Sequence, residues 1–277
     1  MRITIPNLEG KALFDYLVKN KADLIAKKCS LPIKSDPVCY GATPVKTYGG
    51  EKAESPEMEE GTIRVKVVCN TALFCDSYGD VLAPDCWKKS ITDRGPKGKN
   101  LIPHLKNHEH EIDKQIGKVV ELYSEVLDLS VLGYSATGKA QALIMVSDVK
   151  KEWDEKLYNL YSDLAVRQHS IGLQYVQLKL AINDEEYKEE FATWNAHYDS
   201  IINKEEVDRR NYFWWVSEIK LYENSAVLFG ANELTPTLEV TTQPSDDTGK
   251  SDIPTDQKPG LLTSDQIKKK ILLTKFV

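Results

Sequence analysis

The stretch TIRVKVV, residues 62–68, sets the fold class of this chain. Ile63, Val65 and Val67 alternate with Arg64 and Lys66, and a period of two puts apolar side chains on one face of a strand and charges on the other. Strand-like runs rich in Val, Ile, Leu or aromatic residues recur near residues 115–122, 140–147, 169–180 and 213–229. Two helical patterns interrupt them. Residues 150–164 place Trp153, Leu157, Leu160 and Leu164 on one face, and residues 184–203 open with an acidic first turn. The expectation is an α+β fold with a mainly β core.

On either side of that core the composition changes. Residues 11–28 set Leu13, Leu17, Leu24 and Ile25 at near-helical spacing among lysines and aspartates, which predicts an amphipathic helix serving as an arm or a propeptide. Pro32, Pro37, Pro44, Gly49 and Gly50, followed by the acidic residues 51–60, read as a linker. After Pro236 the Thr, Ser, Asp, Pro and Gly content as far as Gly260 reads as a disordered linker. It leads to residues 263–276, where Ser264 can cap a short docking helix or the chain simply frays. The predicted organisation is an arm and linker over 1–60, a folded domain over 61–236, and a linker with a short helix over 237–277.

The 277 residues carry a net charge of -6, with 41% hydrophobic and 28% charged side chains. That is the composition of a soluble globular protein. An acidic balance argues against a nucleic-acid partner, which would call for a concentrated basic face. No apolar run is long enough to span a membrane, and residues 1–20 lack the pattern of a secretory signal, so a cytoplasmic location is expected. The cysteines, Cys29, Cys39, Cys69, Cys75 and Cys86, are odd in number and form no CxxC pair, so they read as reduced, ordinary residues.

Three clusters could carry chemistry. HLKNHEHE, residues 104–111, holds three of the five histidines just before an apolar strand, where a general base can be held and still reached. Metal ligation by His104, His108 and His110 is disfavoured: residues four apart share a face only on a helix, Pro103 opposes one, and no distant Cys/His group completes a ligand set. RQHSIGLQYV, residues 167–176, opens a strand with Ser170, and Gly172, lacking a Cβ, could let a substrate carbonyl approach the backbone. The third, residues 214–232, is a long apolar strand carrying Glu218 and Glu223. A carboxylate there needs a partner, and one of the two could orient a histidine.

In order and type these clusters resemble the prohead maturation proteases of tailed bacteriophages, serine peptidases similar to the herpesvirus assemblins. The resemblance covers about residues 62–236. Asp76 to Pro84, then Trp87 to Ile91, match a first block of Asp followed by a Gly-Asp-Val turn and a Pro-containing segment. Leu105, Asn107, His108, Glu109, Ile116, Gly117 and Lys118 match a second. Gln168, His169, Ser170, Ile171, Gly172 and Leu173 match the nucleophile block, and Leu221, Glu223, Ser225, Ala231 and Asn232 match the last. Asp85-Cys86-Trp87 stands where Gly-Ala-Phe is common, Leu173 replaces Phe, and Gly230 replaces a frequent Pro.

The resemblance implies a mainly antiparallel β-barrel core with flanking helices, like the herpesvirus protease, and a catalytic set of Ser170 as nucleophile, His108 as general base and Glu223 as acid, with Glu218 the alternative acid. It implies no cofactor and no metal. Its implied partners are scaffold segments and extensions of the major capsid protein as substrates, and further copies of itself inside the assembling prohead in the host cytoplasm. Autocleavage is expected near one of the linkers. The rival reading is a non-catalytic scaffold or capsid-binding protein of the same β fold.

Overall fold

The structure, a computed structural model, describes residues 5–30 and 58–242, which fall in one compact unit. Most of the first linker, most of the second and the expected terminal helix lie outside the described residues.

The strand read from residues 62–68 is β1 (Thr62–Thr71). Its outward charges are paired across the sheet rather than left in water: Arg64 sits opposite Asp148 and makes two bonds to it, at 2.6 and 2.9 Å, and Lys66 reaches Glu125 at 2.9 Å. The other strands are β2 (Asp80–Leu82), β3 (His104–Lys106), β4 (Gln115–Asp128), β5 (Lys139–Lys150), β6 (Gln168–Ile182), β7 (Tyr212–Val227) and β8 (Thr237–Thr242). They form one mixed sheet in which β4, β5, β1 and β8 follow one another antiparallel. The long β7 takes β2 and β3 in parallel along one edge and β6 antiparallel along the other.

The α+β class stands, but the hydrogen-bonded sheet is open and does not close into the expected barrel. Among the described strands β6 pairs with β7 alone, and helices α2 (Lys21–Ser30) and α5 (Lys188–His197) pack against it.

Other boundaries also moved. The helix expected over 11–28 is two, α1 (Gly10–Lys19) and α2, broken at Asn20, whose N–H and side-chain amide both bond back to the Tyr16 carbonyl. These helices are not a loose arm: Phe14, Leu17 and Leu24 are buried in the main core beside Trp87, Trp214 and Phe213. Asp154 caps α4 (Glu155–Ser162), accepting from the Leu157 N–H at 2.9 Å, so the helix starts after residue 150, which stays in β5. The second predicted helix, over 184–203, shortens to α5 and a 3-10 turn at Tyr198–Ser200, and a further helix, α6 (Lys204–Arg210), starts just past its predicted end. Past Pro236 the folded part continues as β8, whose β-branched TLEVTT adds to the edge of β1. The short α3 (Lys88–Arg94) follows the buried Trp87, whose indole N–H bonds Ser124 Oγ at 2.8 Å.

Candidate active site

Strand β7 places the candidate residues. In antiparallel pairs, directly opposite side chains lie on one face, and residues two apart share that face. Ser170 is opposite Ser225 and Gly172 opposite Glu223, so Ser170, Ser225 and Glu223 project together. On the other edge of β7, β3 runs as far as Lys106 opposite Ala226. The chain then turns back at Asn107, whose N–H bonds the Ala226 carbonyl at 3.0 Å.

Both Asn107 (φ 52) and His108 (φ 56) adopt the left-handed conformation. Side chains other than glycine rarely do so, at a cost on the order of 1 kcal/mol each, and such strain persists where surrounding contacts impose it. Here those contacts are visible. The His108 N–H donates to Ser225 Oγ at 3.0 Å, and His108 Nδ1–H donates to Glu223 Oε1 at 2.6 Å. Ser225 in turn donates to Glu223 Oε2 at 2.7 Å. Glu223 is 1% exposed and His108 3%, so both carboxylate oxygens are satisfied away from water.

Gly172 has a different use from the one expected. A Cβ at this position would lie 2.2 Å from Glu223 Oε1, so the missing side chain leaves room for the carboxylate rather than for a substrate carbonyl. Gly117 likewise admits backbone, since a Cβ there would meet the Asp148 carbonyl oxygen at 2.5 Å. Where the resembled family often has proline, the Gly230 N–H donates to Gln168 Oε1 at 2.9 Å, a bond that proline could not make.

Glu218 is not brought to this site. It is partly exposed and lies 3.7 Å from Lys89 of α3. Of the three clustered histidines, only His104 leaves this site. His110 is exposed, with Nε2 3.9 Å from Glu223 Oε1, while His104 is fully buried in a second polar network. Among the described residues no group of three His, Cys, Asp or Glu side chains converges as a metal site. Cys29, Cys69, Cys75 and Cys86 are free thiols, and burial pushes all four thiol pKa values up, Cys69 and Cys86 well above the usual value.

The second network has one consistent proton assignment. His169 Nδ1–H donates to the Thr235 carbonyl at 3.0 Å, so its Nε2 accepts from the Tyr161 hydroxyl at 2.9 Å. The Tyr161 oxygen then accepts from His104 Nε2–H at 3.2 Å, and His104 Nδ1 accepts from Ser147 at 2.6 Å. Both imidazoles are therefore neutral. Burial lowers the His104 pKa well below the usual value and brings that of His169 down to about 4. Although His169 adjoins Ser170 in the chain, both of its nitrogens are taken and neither can act as a base.

A small pocket of about 30 Å³ opens at Ser170, walled by Asp76, Tyr78, Leu173, Tyr175 and Asn232. Burial, followed by the neighbouring Asp80 charge, raises the Asp76 carboxyl to about 7. In the sequence Asp76 belongs to a turn motif and Tyr175 to a strand, and no local pattern marks either as a pocket wall. Neither the Tyr161 network nor the role of Ser225 was read from the sequence.

No helix among the described residues is long and apolar enough to cross a membrane. No protein-family model, no curated protein and no solved structure matches the chain.

Proposed function

We propose that this chain is a serine endopeptidase that cleaves scaffold segments or capsid-protein extensions, and itself, during maturation of a phage prohead. The observation that carries the reading is the buried contact of His108 Nδ1 with Glu223, 2.6 Å long, on the strand face that also bears Ser170. A scaffold has no need of a strained, buried His–Glu pair whose carboxylate shares a strand face with a serine at a pocket.

In this mechanism Ser170 Oγ attacks the scissile carbonyl carbon, and His108 takes the hydroxyl proton through Nε2, because Nδ1–H is committed to Glu223. Glu223 fixes that tautomer and stabilises the imidazolium. His108 then returns the proton to the leaving amine, and water hydrolyses the acyl-enzyme by the reverse proton path. Ser225 holds the carboxylate and the His108 backbone at once, so the base and the acid that orients it are fixed to the same point of β7.

The test is co-expression with a candidate capsid-protein substrate from the same genome, comparing wild type with Ser170→Ala. Processing by wild type alone is expected. Equal processing by both, or by neither, would contradict the proposal.

A further inference from the structure

We propose that Lys28 is a positioning residue of this site, holding through Asp80 and Tyr175 the wall of the pocket at Ser170; the proposal rests on the reading of Ser170 as a nucleophile. Lys28 lies near the end of α2, about 7% exposed, with its ammonium 2.5 Å from Asp80 Oδ1. It also stands 4.9 Å from the centre of the Tyr175 ring and 5.5 Å from that of Trp214. Asp80 is wholly buried, and its other oxygen accepts from the Tyr175 hydroxyl.

Both ends of this chain of contacts reach the pocket. Tyr175 is on the same strand as Ser170 and lines the cavity. Asp80 closes the turn that starts at Asp76, whose Oδ1 accepts from the N–H groups of Tyr78 at 2.8 Å and Asp80 at 3.0 Å, and Asp76 and Tyr78 line the cavity from the other side. A third contact ties α2 to the strand of the nucleophile: the Gln174 amide donates to the Cys29 carbonyl at 2.7 Å.

Anchorage of the helices alone does not require a buried cation. Phe14, Leu17 and Leu24 supply apolar contact, and Lys21 pairs with Glu189 and Glu190 nearer the surface. An apolar side chain of similar size would hold α2 at least as well as a buried ion pair, whose desolvation offsets much of its attraction. What the lysine does is fix Asp80 in the interior, where it orients Tyr175 and the turn together.

The full chain carrying Lys28→Met, Lys28→Arg or the double change Lys28→Met with Asp80→Asn is assayed in two ways. One is the rate at which diisopropyl fluorophosphate, too small to need the pocket wall, labels Ser170. The other is kcat and KM for cleavage of unfolded casein. Lys28→Met is expected to raise KM about tenfold while kcat and the labelling rate stay within about twofold, with Lys28→Arg restoring most of the loss. If Lys28→Met does not fold, the double variant leaves no unpaired buried charge and is expected to show the same raised KM. An unchanged KM in a folded variant overturns the proposal, as does a fall in labelling as large as the change in KM. Wild type that fails to label at Ser170 defeats the peptidase reading itself, and this proposal with it.

Discussion

Two histidine networks lie within one sheet, and they differ in the charge of their partners. His108 has a carboxylate on Nδ1, and that carboxylate shares a strand face with Ser170, a residue that lines a pocket. His104 and His169 are linked by Tyr161 and bounded by Ser147 and Thr235, all neutral, with both rings fully buried. A carboxylate favours the imidazolium, which a general base must become, whereas a neutral buried set opposes it. On the proposed mechanism the same side chain serves proton transfer in one place, while in the other it specifies the core.

Substitutions should separate the two roles. The largest expected effect is on the charged network: His108→Ala should lower kcat/KM by roughly 10⁴-fold or more, and Glu223→Gln by about 10³- to 10⁴-fold, while both stay folded by circular dichroism. Glu218→Gln should leave activity within about twofold. Next is Gly172→Ala, whose Cβ must displace a carboxylate 2.2 Å away. An activity loss on the order of 10²-fold is expected, measured as kcat/KM with thermal stability followed in parallel.

The neutral network should respond in stability instead. Tyr161→Phe leaves His169 Nε2 without its donor and His104 Nε2–H without its acceptor, at a cost of about 2–3 kcal/mol in denaturant unfolding, with little change in kcat. Its pH dependence has a definite sign. His169 has a folded pKa of about 4, below the unfolded value near 6.5, so its contribution is complete above pH 6.5 and is lost as pH falls toward 4. That amounts to about 2 kcal/mol by pH 5. A His169→Gln variant should show a shallower loss of stability between pH 6.5 and 4. An unchanged slope would mean that His169 is not held neutral.

Among the residues bonded within the charged network, the smallest predicted effect is that of Ser225→Ala. It removes one of two bonds to Glu223 and the acceptor for the His108 N–H, and should cost about 10- to 100-fold in kcat/KM.

These contrasts also show what the sequence could carry. The alternation around Ile63 to Val67 made β1 readable, because a strand's period is local. His108, Ser170 and Glu223 were nominated by ordered motifs, and β7 brings them together because its register places Glu223 and Ser225 opposite Gly172 and Ser170. The Tyr161 network joins β3, β5, α4, β6 and the Thr235 turn, and no local pattern marks such a meeting. The break at Asn20, the early end of α5 and the separate α6 depend on caps and packing that periodicity averages over. Lys28 was closer to legible. It lies four residues after Leu24, hence on the same helical face, and a lysine on a buried face calls for a carboxylate partner. That the partner was Asp80 required the fold.

The most direct test of the account is mass spectrometry of the full chain after exposure to diisopropyl fluorophosphate. The account predicts one phosphoryl adduct, on the peptide containing Ser170, absent from His108→Ala and abolished by Ser170→Ala. No adduct on the folded wild type, or an adduct on another residue that persists in Ser170→Ala, would contradict it.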